Sequence, residues 1–207
     1  MSLPVLIYEF LILMFTIMIH EVSHGSMALA LGDPTAKDEG RLTFNPTKHF
    51  ELWGSFLLPI LLFFGTSGRF IFGWAKPVPF NPYNLKNPKR DAGLIGLAGP
   101  LSNILVAVLF GVFIRLIVHF QLIGLLKLIP LFGLIIQINL IQAVFNLVPI
   151  PPLDGSKILF AFLPRGSERI MLFLEQYGLF LLLAFIFFGF QYLLPVIDFL
   201  YRLIIGG

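Results

Sequence analysis

Thr16-Ile17-Met18-Ile19-His20-Glu21-Val22-Ser23-His24-Gly25-Ser26-Met27-Ala28-Leu29 places two imidazoles and a carboxylate inside an apolar run that extends from Leu3 to Leu31. An α-helix turns about 100° per residue, so positions i and i+4 lie on one face about one turn apart. His20 and His24 can therefore reach one metal ion, and Glu21 projects from the same side, where it can address a water on that ion as a base. Ionisable groups at bilayer depth are costly unless they are paired, metal-bound or set in a wet cavity. Three of them so close together call for a common partner, and a divalent cation is the simplest.

Composition supports the membrane setting. The 207 residues are 57% hydrophobic and 12% charged, include 24 Phe, and have a mean hydropathy of +0.92. That is a polytopic membrane protein, not a soluble domain. The longest polar stretches, Gly32 to Glu51 and Lys76 to Asp91, are loop-sized, so the whole of 1–207 reads as one membrane-embedded domain, with core motifs over 15–165 and C-terminal helices over 170–205. A net charge of +3 without a clustered basic patch argues against nucleic-acid binding. Cysteine is absent, so a zinc site here must be built from His, Asp or Glu. The N-terminal stretch lacks a basic leader region and carries the metal motif, so it reads as a retained helix.

Four spans of about 20 apolar residues stand out: the one ending near Leu31, then Ala92 to Phe120, Leu128 to Leu147 and Ile170 to Phe190. Between the first two, Trp53 to Phe64 is short for a crossing and is broken by Pro59, which suits a re-entrant or short-strand segment. Charge supports re-entry over 53–72. If that segment returns to its own side, 11 Lys and Arg residues share one face of the membrane and 3 the other; a full crossing leaves 8 against 6. The lopsided count obeys the positive-inside rule and predicts a cytosolic end for the helix bearing His24. Leu193 to Ile205 is an interfacial helix or a further span. The expectation is an all-α polytopic membrane protein with five or six transmembrane helices.

A catalytic zinc takes three protein ligands and keeps one position open, so one ligand remains to be found. Asp154 is the candidate. It follows Asn146-Leu147-Val148-Pro149-Ile150-Pro151-Pro152-Leu153, where three prolines forbid regular helix, and Gly155 after it permits a turn that aims the carboxylate inward. Asp-Gly is also a common turn dipeptide, but beside the histidine motif in a cysteine-free chain the ligand reading is favoured. Asn103 reads as a polar helix-packing residue and Gly99 as a small residue allowing close approach. His49 reads as an exposed loop residue and His119 as a span-end residue.

Taken in order, His20-Glu21-Val22-Ser23-His24, Gly73-Trp74-Ala75-Lys76-Pro77-Val78-Pro79, Ala98-Gly99-Pro100-Leu101-Ser102-Asn103 and Asn146 through Leu153-Asp154-Gly155 closely resemble the site-2 protease family of intramembrane zinc metalloproteases. The resemblance covers about residues 15–165. It implies one Zn2+ per chain held by His20, His24 and Asp154, Glu21 as the catalytic acid/base, and Asn146 as an auxiliary polar residue near the reacting carbonyl. It further implies transmembrane proteins or peptides as substrates, cut in or near their membrane segments, by a minimal core form without PDZ or CBS modules. The compact form suggests a prokaryotic cytoplasmic membrane with the site reached from the cytosol. Helix unwinding is needed to expose a substrate amide, and Lys76-Pro77-Val78-Pro79-Phe80, which cannot be helical, is expected to lie extended beside the site as an edge for it. Intramembrane His and Asp also line ion paths, so a metal transporter or channel is the alternative, though it gives Glu21 no task. A catalytically idle relative that binds membrane helices is a third reading, which the intact ligand set disfavours.

Overall fold

In the computed structural model, residues 3–49, 57, 61, 64, 65, 76–164 and 166–206 are described. Most of the candidate re-entrant segment 53–72, and Gly73-Trp74-Ala75, lie outside them. Among the described residues the regular structure is entirely helical. The α-helices are α1 (Leu3–Ala30), α2 (Thr35–Asp38), α3 (Pro88–His119), α4 (Ile129–Asn146), α5 (Asp154–Phe162), α6 (Glu168–Ala184) and α7 (Leu194–Ile205). Among the described residues, four helical stretches are long and apolar enough to cross a membrane: Ile7–Ala30, Pro88–His119, Ile123–Asn146 and Glu168–Tyr192. They coincide with the four spans read from hydropathy.

Local chemistry sets the ends. α1 stops where Gly32 takes a left-handed φ of 104°, and Pro34 follows. α3 starts at Pro88, a residue pre-set for the first helical position, and the buried Asp91 carboxylate accepts the Asn87 N–H at 2.9 Å. α4 likewise begins Ile129-Pro130 and cannot continue through Pro149, Pro151 and Pro152.

α3 is the central element, packing against α1, α4, α5 and α7. Lipid tails are as apolar as leucine, so helices in a bilayer associate through close packing and interhelical hydrogen bonds. Both are present. Ala107, Ile114, Ile136, Leu140, Val144 and Ile197 form the main core, and Asn139 of α4 donates to Thr16 Oγ1 of α1 at 3.1 Å. The 12-residue α7 is short for a crossing and docks on α3 at Gly111, where an added Cβ would lie 2.2 Å from Ile204 Cγ2. Arg115 of α3 donates to the last carbonyls of α7, at Leu203 and Ile204. α6 is peripheral: 11% of its span is buried, against 28–33% in the other three. Large side chains such as Leu105, Phe180 and Phe188 point outward, as lipid contact requires.

Candidate metal centre

His20 and His24 project from the α1 face that meets α3, and Asp154 opens α5 directly after the proline-rich turn. All three side chains are buried. His20 Nε2, His24 Nε2 and Asp154 Oδ2 lie 3.0 Å from one another. They are the group among the described residues whose donor atoms could share a metal ion.

The donor chemistry fits zinc. The edge of a tetrahedron of N and O donors around zinc is about 3.3 Å, close to the spacing here. The tautomer of His24 points the same way. Its Nδ1 lies 2.6 Å from the Ile95 carbonyl, which can only accept, so Nδ1 carries a proton and Nε2 is the ring nitrogen that faces His20 and Asp154.

The backbone makes room for this cluster by omitting a side chain. A Cβ on Gly99 of α3 would stand 2.4 Å from His24 Nε2 and 2.6 Å from His20 Nε2, so only glycine lets the two imidazoles lie against α3. The Ala98–Asn103 block sits within α3, ten residues past the start of that helix at Pro88. Gly155 also acts by close approach, and not by the turn expected of it: it is helical, and a Cβ there would fall 2.3 Å from the Leu147 carbonyl oxygen and 2.4 Å from that of Val148. α5 is thereby seated on the end of α4, which directs Asp154 at the histidines. Lys157, one turn on, donates to Asp154 Oδ1 at 2.9 Å, leaving Oδ2 to the cluster. The i, i+3 spacing of Lys157 from Asp154 is the sequence signal for this pair.

Glu21 lies outside the triangle. Its Oε2 accepts the Val78 N–H at 2.8 Å, so the Lys76–Phe80 segment, non-helical as expected, runs beside it. Two polar clamps hold this segment. Arg41, buried, donates to the carbonyls of Lys48, Lys76 and Pro77. Asp33, fully buried, accepts from the Asn81 N–H at 2.7 Å, from Asn84 Nδ2 at 2.8 Å, and from Thr35. His49 corrects the sequence reading: it is 3% exposed, its ring bonds the Thr43 carbonyl at 2.7 Å, and its own carbonyl accepts the Lys76 N–H. The Gly32–Glu51 stretch reads as an ordinary polar loop, and nothing local in it signals that its charged residues fold inward.

The Asp33 clamp carries a pH dependence. Burial alone would push its carboxyl up, but the Thr35 hydroxyl, Asn84, and the N–H groups of Asn81 and Thr35 outweigh that and hold it below the ordinary carboxylate value. A depressed folded-state value stabilises the fold above the unfolded value of about 3.9, and that contribution is lost as pH falls from there through the folded value. The melting temperature of detergent-solubilised wild type should exceed that of Asp33→Asn by a constant margin between pH 7 and pH 5, and the margin should close below about pH 4. A margin unchanged at pH 3 would refute this role.

Asn146 is half-buried, and its Nδ2 donates to the Gln142 carbonyl of its own helix at 3.0 Å. No hydrogen bond joins it to the three donors among the described residues.

A buried two-His, one-Asp centre in a bundle of membrane-spanning helices, with a carboxylate beside it, has the parts of a membrane metallohydrolase. Residues 117–188 match the model of Peptidase family M50, a stretch that holds Asn146 and Asp154. YwhC of Bacillus subtilis, which bears the name of a zinc metalloprotease, is 38% identical over 173 residues, covering 81% of this chain and 74% of YwhC. MJ0611 of Methanocaldococcus jannaschii, similarly named, is 40% identical over 93 residues, 44% of this chain and 46% of that protein. No solved structure matches. The chain belongs to peptidase family M50, as the site-2 protease resemblance implied, and is an integral membrane protein.

Proposed function

We propose that this zinc-dependent peptidase hydrolyses peptide bonds in or near the transmembrane segments of membrane proteins or peptides. In this reading His20, His24 and Asp154 hold one zinc, Glu21 is the acid/base, and Asn146 assists near the reacting carbonyl. The single observation that carries it is the meeting of three buried donor atoms from α1 and α5 within a bundle of membrane-spanning helices. Residues 1–207 act as one membrane-embedded domain, in a prokaryotic cytoplasmic membrane, with the site open to the cytosol.

Bound zinc supplies the Lewis acidity that brings water into its ionisable range near neutral pH and polarises the scissile carbonyl. The chain's own residues do the rest. Val78 holds Glu21 through Oε2, which leaves Oε1 to take the proton of the attacking water. Glu21 returns that proton to the amine as the C–N bond breaks, and the water oxygen stays on the new carboxyl group. Lys157 occupies Asp154 Oδ1, so Oδ2 is the oxygen that would be offered to zinc. The extended Lys76–Phe80 segment, pinned by Arg41 on one side and Asp33 on the other, lies where an unwound substrate strand can align with Glu21.

The test is metal analysis of purified protein combined with cleavage of a helix-destabilised transmembrane peptide. One zinc per chain and cleavage that stops with a chelator and resumes with added zinc are expected. Zinc binding without cleavage of any membrane peptide would return the site to metal transport.

A further inference from the structure

Each donor of the proposed centre is held from behind by another group. His24 Nδ1 donates to the Ile95 carbonyl, and Asp154 Oδ1 accepts from Lys157. For His20, the protein group at Nδ1 is the side-chain amide of Asn103, one turn beyond Gly99 on α3, with Nδ2 at 3.3 Å. Asn103 is fully buried, and its Oδ1 has no hydrogen-bond partner among the described residues.

This arrangement suits a His20 ring whose proton sits on Nε2, and zinc requires the opposite. A ring that gives Nε2 to a cation keeps its proton on Nδ1, and that N–H needs an acceptor. The oxygen and nitrogen of an asparagine amide exchange places by a half-turn, and coordinates alone do not distinguish them. We propose that Asn103 is the positioning residue of His20: its Oδ1 accepts the Nδ1 proton when Nε2 binds zinc, fixing the tautomer and aiming the ring. This rests on the reading of His20, His24 and Asp154 as the zinc ligands. The half-turn moves the unpaired position from an acceptor to the amino group, so zinc selects the orientation of the amide and not its number of bonds. Asn103 is thereby given a task beyond packing between helices.

Zinc affinity of the full chain in detergent, measured by competition with a chromophoric chelator, tests the proposal. Asn103→Leu, of similar size and without an acceptor, should weaken zinc binding by about 10–100-fold, whereas Asn103→Asp, whose carboxylate accepts the same proton, should bind about as tightly as wild type. A residue that only packed helices would give the reverse ranking of damage, since a buried carboxylate is a harsher change than leucine, and would leave zinc affinity alone. Wild-type affinity in the Leu variant overturns the proposal. Should that variant fail to fold, the Asp variant decides: zinc must raise its melting temperature at least as far as it raises that of wild type, and a smaller rise overturns the proposal. Failure of the unaltered protein to bind zinc would instead overturn the metal reading beneath it.

Discussion

Glu21→Gln should abolish peptide hydrolysis while leaving one zinc per chain. Glutamine keeps the length of the side chain, and its amide oxygen can still accept the Val78 N–H, so the Lys76–Phe80 segment stays in place. None of the three candidate ligands is touched. What disappears is the group proposed to carry the proton between water and leaving amine, a contribution of about 100- to 10,000-fold in rate. Cleavage of a transmembrane peptide and zinc content, measured on the same preparation, check this. Turnover within about threefold of wild type would remove Glu21 from the mechanism, because general-base losses are far larger than that.

Gly99→Ala should empty the proposed metal site by adding a single carbon. The new methyl would stand 2.4 Å from His24 Nε2 and 2.6 Å from His20 Nε2, the atoms proposed to bind the metal. Either the imidazoles swing away or α1 and α3 separate. Overpacking of this kind costs about 1–3 kcal/mol, which a folded bundle can survive. Displaced ligands are another matter, since even the loss of a group supporting a ligand weakens metal binding about 10–100-fold. The variant should therefore reach the membrane, melt somewhat below wild type, and retain little zinc. Gly124→Ala is the control, since a Cβ there meets nothing within 4 Å. Zinc retained stoichiometrically by Gly99→Ala through dialysis would contradict the packing of α1 on α3 at this point.

The two variants separate chemistry from architecture, and the same division runs through what can be read before folding. The four spans, the break at Pro149 and the non-helical Lys76–Phe80 segment follow from hydropathy and backbone restrictions that act over a few residues. Features whose cause is distant are not legible locally. His49 reads as exposed, yet Lys76 and Thr43 enclose it; Gly155 reads as a turn residue, yet its use is to admit the carbonyls of Leu147 and Val148. Asp33 and Arg41 carry no mark in the sequence to distinguish them from solvated charges, because the partners that turn them inward, the carbonyls of Lys76 and Pro77, the Asn81 N–H and the Asn84 amide, lie about 35 to 50 residues away.

From its sequence alone this protein is a helical membrane protein carrying a two-histidine motif within its first span, because hydropathy and the 3.6-residue period are local properties. Tertiary structure decided that Asp154, 134 residues beyond His20, comes to 3.0 Å from it, and that Ile95, Asn103 and Lys157 stand behind the three donors. Helix-on-helix contact at Gly99 brings those groups together, and such contact depends on the missing side chain of one helix meeting the rings of another, a relation that no single stretch of chain contains.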